Sequence, residues 1–343
     1  MKDSILRRIV MFTKKLFTIL SALLFVLILV VGAFAEQMSL EELRAVTPDK
    51  SYKVGFANLH ENHVFMWRVR ESIQRNCEEY GLECVMANNN VDGMTALSNA
   101  DTFVTQGVNG VVEFQSHVEF GEAIMEKFND IGAPVIAIDI PMPGATFFGA
   151  NNYEAGYLAG EGGGNYAKAH WDGRVDKLLS IELPQSGDVV MQRSRGMWEG
   201  VQAVTGLGDE DIIHLDGKET QDTARQVVCD ALQGIPDAEY LVVTAVNDEM
   251  ALGGLAAIET CGSSANQKNY IAVGQSADEA AQAAMREEGS HFAGSTAYFP
   301  ERYGDYIIPA LIRLMNGEKL PPELFMGHTF ISIENLDQYY PKQ

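Results

Sequence analysis

The chain has 343 residues, 46% of them hydrophobic, with 25 Lys and Arg against 47 Asp and Glu and a formal charge of −22. That is apolar mass for about two domain cores, and the acidity excludes nucleic acid as a partner, because displacing phosphate counterions takes a basic surface. The 4 cysteines include no Cys-x-x-Cys pair, so their spacing does not suggest zinc.

The first 35 residues read as an export signal. Lys2, Arg7, Arg8, Lys14 and Lys15 make a basic start, 16–31 is an almost unbroken apolar run, and Ala33-Phe34-Ala35 is a small-x-small cleavage site before Glu36. Residues 16–35 are also just long enough to span a bilayer as an uncleaved anchor; the Ala-x-Ala ending favours a cut after Ala35. The mature chain then has 308 residues with 20 basic and 46 acidic groups, a charge of −26. It has no further segment apolar and long enough to be membrane-inserted, and no cysteine near the cut to carry a lipid. The expected compartment is the periplasm of a Gram-negative-type cell. Disulfides are permitted there and three pairings are possible. Cys77 with Cys84 would tie a helix end to the next strand, and Cys229 with Cys261 would join the helices flanking one strand.

From Tyr52 onward strands and helices alternate. A strand over 52–59 precedes a helix on which Met66, Val69, Ile73, Cys77 and Tyr80 recur at helical spacing, with Gly81 as its C-terminal stop. Apolar runs at 82–86, 110–114, 134–139 and 146–150 follow, separated by amphipathic segments such as 118–131. These are strands covered on both faces, hence a parallel doubly wound sheet. The alternation then restarts. Helices are predicted over 153–170, 188–204, 220–232, 248–260 and 277–288, with strands at 177–182, 212–215, 240–244, 270–273 and 291–296. So many parallel strands call for two sheets of right-handed crossovers, with a cleft between their carboxyl ends.

Two motifs lose to plainer readings. Gly160-Glu161-Gly162-Gly163-Gly164 lacks the Gly-Lys-Ser/Thr ending of a phosphate loop and falls inside a helix; Gly156, Gly160 and Gly164 instead leave one helix face bare for close packing. His60-Glu61-Asn62-His63 is not the His-Glu-x-x-His of a zinc protease. There is no Gly-x-Ser-x-Gly elbow, and nothing in the chain is positive evidence for catalysis or a cofactor.

What recurs is a polar or aromatic residue where a strand hands over to its loop. Asn62, His63, Phe65, Met66 and Trp67 follow the first strand; Glu113, Phe114 and Gln115 end the third; Asp139 ends the fourth before Pro141; Asn247, Asp248 and Glu249 follow the strand over 240–244. In an open α/β sheet such ends converge on one crevice, which implies a small polar ligand. Each has a duller alternative: Asp139 could brace a proline turn, Asp248 cap a helix, Phe65 or Met66 belong to the core. Their coincidence is the argument.

Over 50–343 the chain resembles the ribose-binding-protein-like type I periplasmic solute-binding proteins. The resemblance lies in Gly107-Val108-Asn109-Gly110-Val111-Val112, Ala133-Pro134-Val135-Ile136-Ala137-Ile138-Asp139, Asn151-Asn152-Tyr153-Glu154-Ala155-Gly156, Arg193-Ser194-Arg195-Gly196, Asn247-Asp248-Glu249-Met250-Ala251-Leu252-Gly253 and Leu314-Met315-Asn316-Gly317-Glu318. It implies two Rossmann-like lobes, 50–151 plus 299–327 and 152–298 plus 328–343, joined by a three-strand hinge crossing near Asn151, Tyr298 and Gly327. It also implies a monomer that holds a carbohydrate between its lobes for an ATP-binding-cassette permease and a chemoreceptor. Asp139 then looks like the carboxylate for two adjacent hydroxyls, Arg193, in a pattern that opens a helix, the guanidinium donor, Asn247 the amide that does both, and Phe65 the ring against the sugar face. Ile140, Ser276, Tyr298, Met66 and His63 depart from the family pattern, which points away from ribose itself. Two other classes compete: a lactose-repressor-type regulator, for which the basic headpiece is missing, and a hydrolase using His60, His63 and Glu113.

Overall fold

The first structural unit follows from its side-chain pattern. In β1 (Lys53–Asn58) every residue after Lys53 is buried, and in α2 (Val64–Glu79) Val69, Ile73 and Cys77 face inward. Val54 and Phe56 point to one side of the sheet, where α2 packs. Ala57 points to the other, against Phe103 of α3 (Gly93–Gln106) and Ile124 and Phe128 of α4 (Gly121–Asp130). A strand covered on both faces reads as a continuous apolar run, which is why these segments do not alternate. The computed structural model describes residues 38–342 except His63, Glu219 and 263–265. The segment read as an export signal and His63 therefore lie outside the described residues. Among those described, no helix is long and apolar enough to cross a membrane.

A short α1 (Leu40–Arg44), closed by a Ser39–Glu42 capping box, precedes β1. The first sheet adds β2 (Glu83–Asn88), β3 (Gly110–Glu113), β4 (Val135–Ile138), β5 (Thr146–Ala150) and, from far along the chain, β11 (Glu323–Met326), in the order β11-β5-β4-β3-β1-β2. The second holds β6 (Lys177–Glu182), β7 (Ile212–Asp216), β8 (Tyr240–Ala245), β9 (Asn269–Ser276), β10 (Phe292–Ala297) and β12 (Thr329–Ile331), in the order β12-β10-β9-β8-β6-β7. All pairings are parallel except β12 on β10. The helices α5 (Asn152–Trp171), α6 (Gly187–Thr205), α7 (Gln221–Gln233), α8 (Asp248–Cys261) and α9 (Glu279–Arg286) cover the second sheet, while α10 (Tyr303–Met315) returns to pack on α2. A last turn, α11 (Leu336–Tyr339), follows β12. The fold is thus α/β with two parallel-dominated sheets. The chain passes between them at Asn151, at Tyr298 and at 327–328.

Four elements differ from the sequence pattern for local reasons. The helix expected over 277–288 spans Glu279–Arg286, because Asp278 caps it through Ala281 N–H and the two preceding residues, Ser276 and Ala277, have φ of 119° and 54°. Arg193, expected at a helix start, lies well inside α6, which begins at Gly187. β11 and β12 are short edge strands whose sequences carry too few residues for a period. The cysteines pair as Cys77–Cys84 and Cys229–Cys261, with Cα atoms 6.3 and 5.4 Å apart. The second bridge ties α7 to α8 and closes the longer loop, for which cross-linking is worth about 3–4 kcal/mol.

The glycine run of α5 packs against α6. A Cβ on Gly156 would stand 2.0 Å from the Arg193 carbonyl oxygen, and one on Gly160 2.1 Å from that of Met197; reciprocally, Gly196 and Gly200 of α6 lie against the backbone carbonyls of Tyr153 and Tyr157. The two helices touch backbone to backbone along this seam. Gly160→Ala should therefore cost about 1–3 kcal/mol in urea unfolding, although alanine is the better helix former. An unchanged or higher midpoint would show that the seam has room for a methyl group.

Candidate functional site

The carboxyl ends of both sheets meet at the three crossings. On the first lobe, Asp139 follows β4 with φ of 59°, a left-handed conformation that aspartate tolerates better than most residues. Its amide donates to Phe148 O at 2.9 Å. Burial pushes its carboxyl up to about 6, opposed by the Arg193 guanidinium and by the Ala150 N–H.

On the second lobe the helix seam sets Arg193. Its Nε and Nη2 donate to Asn152 Oδ1 at 3.0 and 2.7 Å, and its Nη1 to Val246 O at 2.8 Å. The guanidinium lies 4.9 Å from the Tyr298 ring centroid, in the range of a cation–π contact. Tyr298 is buried; its hydroxyl donates to Gln275 Oε1 at 2.8 Å, and Gln275 Nε2 donates to Ala155 O at 3.1 Å. One connected set of side chains thus links α5, α6, the β8–α8 loop, β9 and the second crossing. Asp139 feels the charge of Arg193 from the opposite lobe, yet the two form no ion pair.

Phe65 joins this set to a cavity. It packs against Tyr298, Ala150 and Ala155 and meets Tyr303 edge-on, centroids 5.5 Å apart. It also lines a hollow of about 410 Å³ whose walls include Asn62 and Arg68 from the first lobe and Ser276, Asp278 and Glu279 from the second. Arg68 and Glu279 close one side with a 3.0 Å ion pair between lobes. Arg68 is half-buried and Glu279 exposed, so the pair is worth roughly 0–1 kcal/mol. Asn62, Phe65 and Ser276 are therefore at the hollow, and Asp139, Arg193 and Tyr298 beside it at the hinge.

The other expected residues lie elsewhere or are already engaged. Asn247 caps α8, accepting from Met250 N–H at 2.8 Å, so its Oδ1 is committed to the helix. Asp248, the next residue, is buried and accepts from Ser295 Oγ at 2.6 Å and Asp278 N at 2.9 Å, holding the β9–α9 turn; burial raises its carboxyl well above the usual range, with Asp278 adding to it. Phe114 is a core residue and Met66 packs partly buried against the same core. Gln115 accepts from His117 N–H at 2.6 Å and is buried, its Nε2 without a partner among the described residues. The residues that the sequence reading missed are Asn152, Gln275, Arg68 and Glu279. Asn152 stood inside a quoted motif, but its tie to Arg193 spans 41 positions and leaves no local pattern.

Of the hydrolase grouping, His63 lies outside the described residues, and His60 and Glu113 are not joined. Glu113, in register with Ala57 and Ala137, lies on the sheet face covered by α3 and α4. Its Oε1 accepts from Asn89 Nδ2 at 2.7 Å and no hydrogen bond joins it to His60 among the described residues. No group of three or more His, Cys, Asp or Glu able to hold a metal occurs among the described residues.

Comparison with known proteins gives one picture. A family model described as a periplasmic binding protein domain matches residues 54–319. The ribose import binding protein of Bacillus subtilis (strain 168) is 22% identical over 278 residues, 79% of this chain and 84% of that protein. An ABC transporter solute binding protein from Mycobacterium smegmatis, solved with bound glycerol, superposes with a TM-score of 0.69 at 21% identity, covering 86% of this chain and 98% of that one. Another, from Bacillus halodurans C-125 with bound myo-inositol, gives 0.66 at 18% identity, over 86% of this chain and 99% of that one.

Burial pushes the Glu113 carboxyl up to about 8, against the opposing Asn89 hydrogen bond, so it is protonated and neutral at pH 7. A carboxyl raised above its unfolded value stabilises the fold fully below the unfolded pKa and loses that contribution as pH rises through the folded one. The stability of the native chain relative to Glu113→Gln should accordingly fall between pH 5 and 9, by on the order of 4 kcal/mol. Parallel pH profiles for the two proteins in thermal unfolding would contradict a buried, protonated Glu113.

Proposed function

Because the chain belongs to the family of the periplasmic binding protein domain, we propose that it captures a small carbohydrate, a sugar or a polyol, between its lobes and delivers it to an ATP-binding-cassette importer. The observation that carries this reading is the hollow of about 410 Å³ lined from both lobes, at a junction where the Asp139 carboxylate and the Arg193 guanidinium lie within electrostatic reach without an ion pair. A hydroxyl-rich solute fills such a gap well. Its adjacent hydroxyls donate to the two carboxylate oxygens, a charge-assisted contact worth more than a neutral one. Arg193 has three hydrogen bonds to Asn152 and Val246, and a guanidinium carries five donors, so two remain for the ligand. Phe65 offers an apolar face to the C–H side of a ring at little entropic cost. The relatives support the same class: a ribose import protein, and solved structures holding glycerol and myo-inositol.

Ligand acts here by favouring the closed lobes, and it can do so only by its differential affinity for closed over open. No bond is made or broken. The N-terminal segment, cut after Ala35, exports the chain to the periplasm, where it works as a monomer; a chemoreceptor reads the same closed surface as the permease. Tyr298 and Ser276 shape the site away from ribose, since Tyr298 spends its hydroxyl on Gln275 and presents a ring.

A thermal-shift screen against sugars and polyols identifies the ligand, because a solute bound only by the native state raises apparent stability by mass action. For the solute so found, Asp139→Ala should weaken calorimetric affinity by about tenfold or more, the cost of stranding its partners in a dry gap. With the carboxyl titrating at about 6 and the ligand taking its charged form, affinity should hold above pH 7 and fall about tenfold per pH unit well below 6. Asp139→Asn should abolish that dependence. Unaltered affinity in both variants would sink the assignment of the site.

A further inference from the structure

We propose that His328 is a positioning residue for lobe closure: one imidazole that ties the third crossing to the first and the second, so that the three bend together. His328 lies between β11 and β12. The backbone N–H of Asn151, in the first crossing, donates to its Nε2 at 3.1 Å, and its Nδ1 lies 3.4 Å from the carbonyl oxygen of Ala297, at the second. An N–H aimed at Nε2 makes that nitrogen the acceptor, so the proton sits on Nδ1 and is donated to Ala297. The ring also meets Tyr298 edge-on, centroids 5.2 Å apart. Tyr298 in turn carries the Arg193 guanidinium. The hinge tie and the candidate site therefore share a wall.

Only a neutral imidazole has the one donor and one acceptor this arrangement uses. An imidazolium would turn a second N–H onto that of Asn151. The groups around it keep it neutral: burial first, and the positive charge of Arg193, hold it down to about 4. Tyr298, on the second crossing, donates its phenol proton to Gln275, and Glu154, in the first turn of α5, is occupied with the side-chain amide of Asn151. The tie should then persist through neutral and mildly acid conditions and fail in stronger acid.

What closure achieves rests on the carbohydrate-capture reading above, whereas the tie itself is testable on the full chain without ligand. Nitrogen-15 NMR of the imidazole should report the Nδ1–H tautomer at pH 7, unprotonated down to pH 5. In His328→Leu, which keeps bulk but not the acceptor, the Asn151 amide should exchange at least about tenfold faster than in the native chain, and small-angle scattering should show a larger radius of gyration. In His328→Gln, whose Oε1 reaches the place of Nε2, both should stay near native values. An Nε2–H tautomer, an ordinary titration near pH 6.5, or equal Asn151 exchange in all three proteins would overturn the tie. Equal radii with altered exchange would overturn its role in closure. Should the leucine variant fail to fold, the native tautomer and titration and the glutamine variant still decide. Failure of the carbohydrate reading would appear separately, as native protein that binds no sugar or polyol.

Discussion

The contact on which the rest depends is backbone against backbone, where α5 meets α6. With Gly156 and Gly160 on one helix facing Gly196 and Gly200 on the other, the axes come closer than side chains would permit. Dispersion contacts at this separation are individually small, but they run the length of the seam. The seam also sets what happens at its end. Asn152, at the start of α5, comes within reach of Arg193 on α6, and Arg193 lies over Tyr298 at the second crossing. A helix pair one methyl group farther apart would leave the guanidinium free to swing, and neither the β8–α8 loop nor the hinge ring would have its present support.

Burial acts on three carboxyl groups in three ways, and the difference lies in their partners. Glu113 has a single amide donor on a covered sheet face and is driven neutral. Asp248 has a hydroxyl and backbone N–H groups around it and serves as the organiser of the β9–α9 turn. Asp139 alone looks across to a positive charge on the other lobe. Desolvation raises all three; only at Asp139 does an opposing charge work against it. This is why perturbed titration by itself does not mark a binding site.

Much of the architecture was legible in the sequence, and the reason is periodicity. Runs such as 110–114 and 134–139 are apolar throughout because parallel strands are buried on both faces, and the doubled alternation required two sheets. The glycine spacing also announced a bare helix face, which became the α5–α6 seam. The site was only partly legible. Phe65, Asn62 and Asp139 were read from their place at strand ends and Ser276 from the family resemblance, yet Phe114, at a strand end too, turned into the core, since adjacent residues on a strand point to opposite faces and one residue of register decides between them. Gln275 was invisible for a different reason. Its amide supports Ala155 and Tyr298, residues 120 positions before it and 23 after it, and no local pattern encodes a hydrogen bond between distant segments.

The triple passage between lobes bears on how such a chain is made. The edge strand β11 of the first sheet comes from residues 323–326, and β12 of the second from 329–331. During synthesis from the N-terminus, both sheets therefore wait with β5 and β10 uncovered until nearly the whole polypeptide has emerged. An uncovered strand is a template for pairing with another molecule, and slow, incomplete assemblies are the ones that aggregate. The late arrival of two short neighbouring strands, one for each lobe, would relieve both hazards in a single step and give the chain a strong kinetic reason to complete its lobes together.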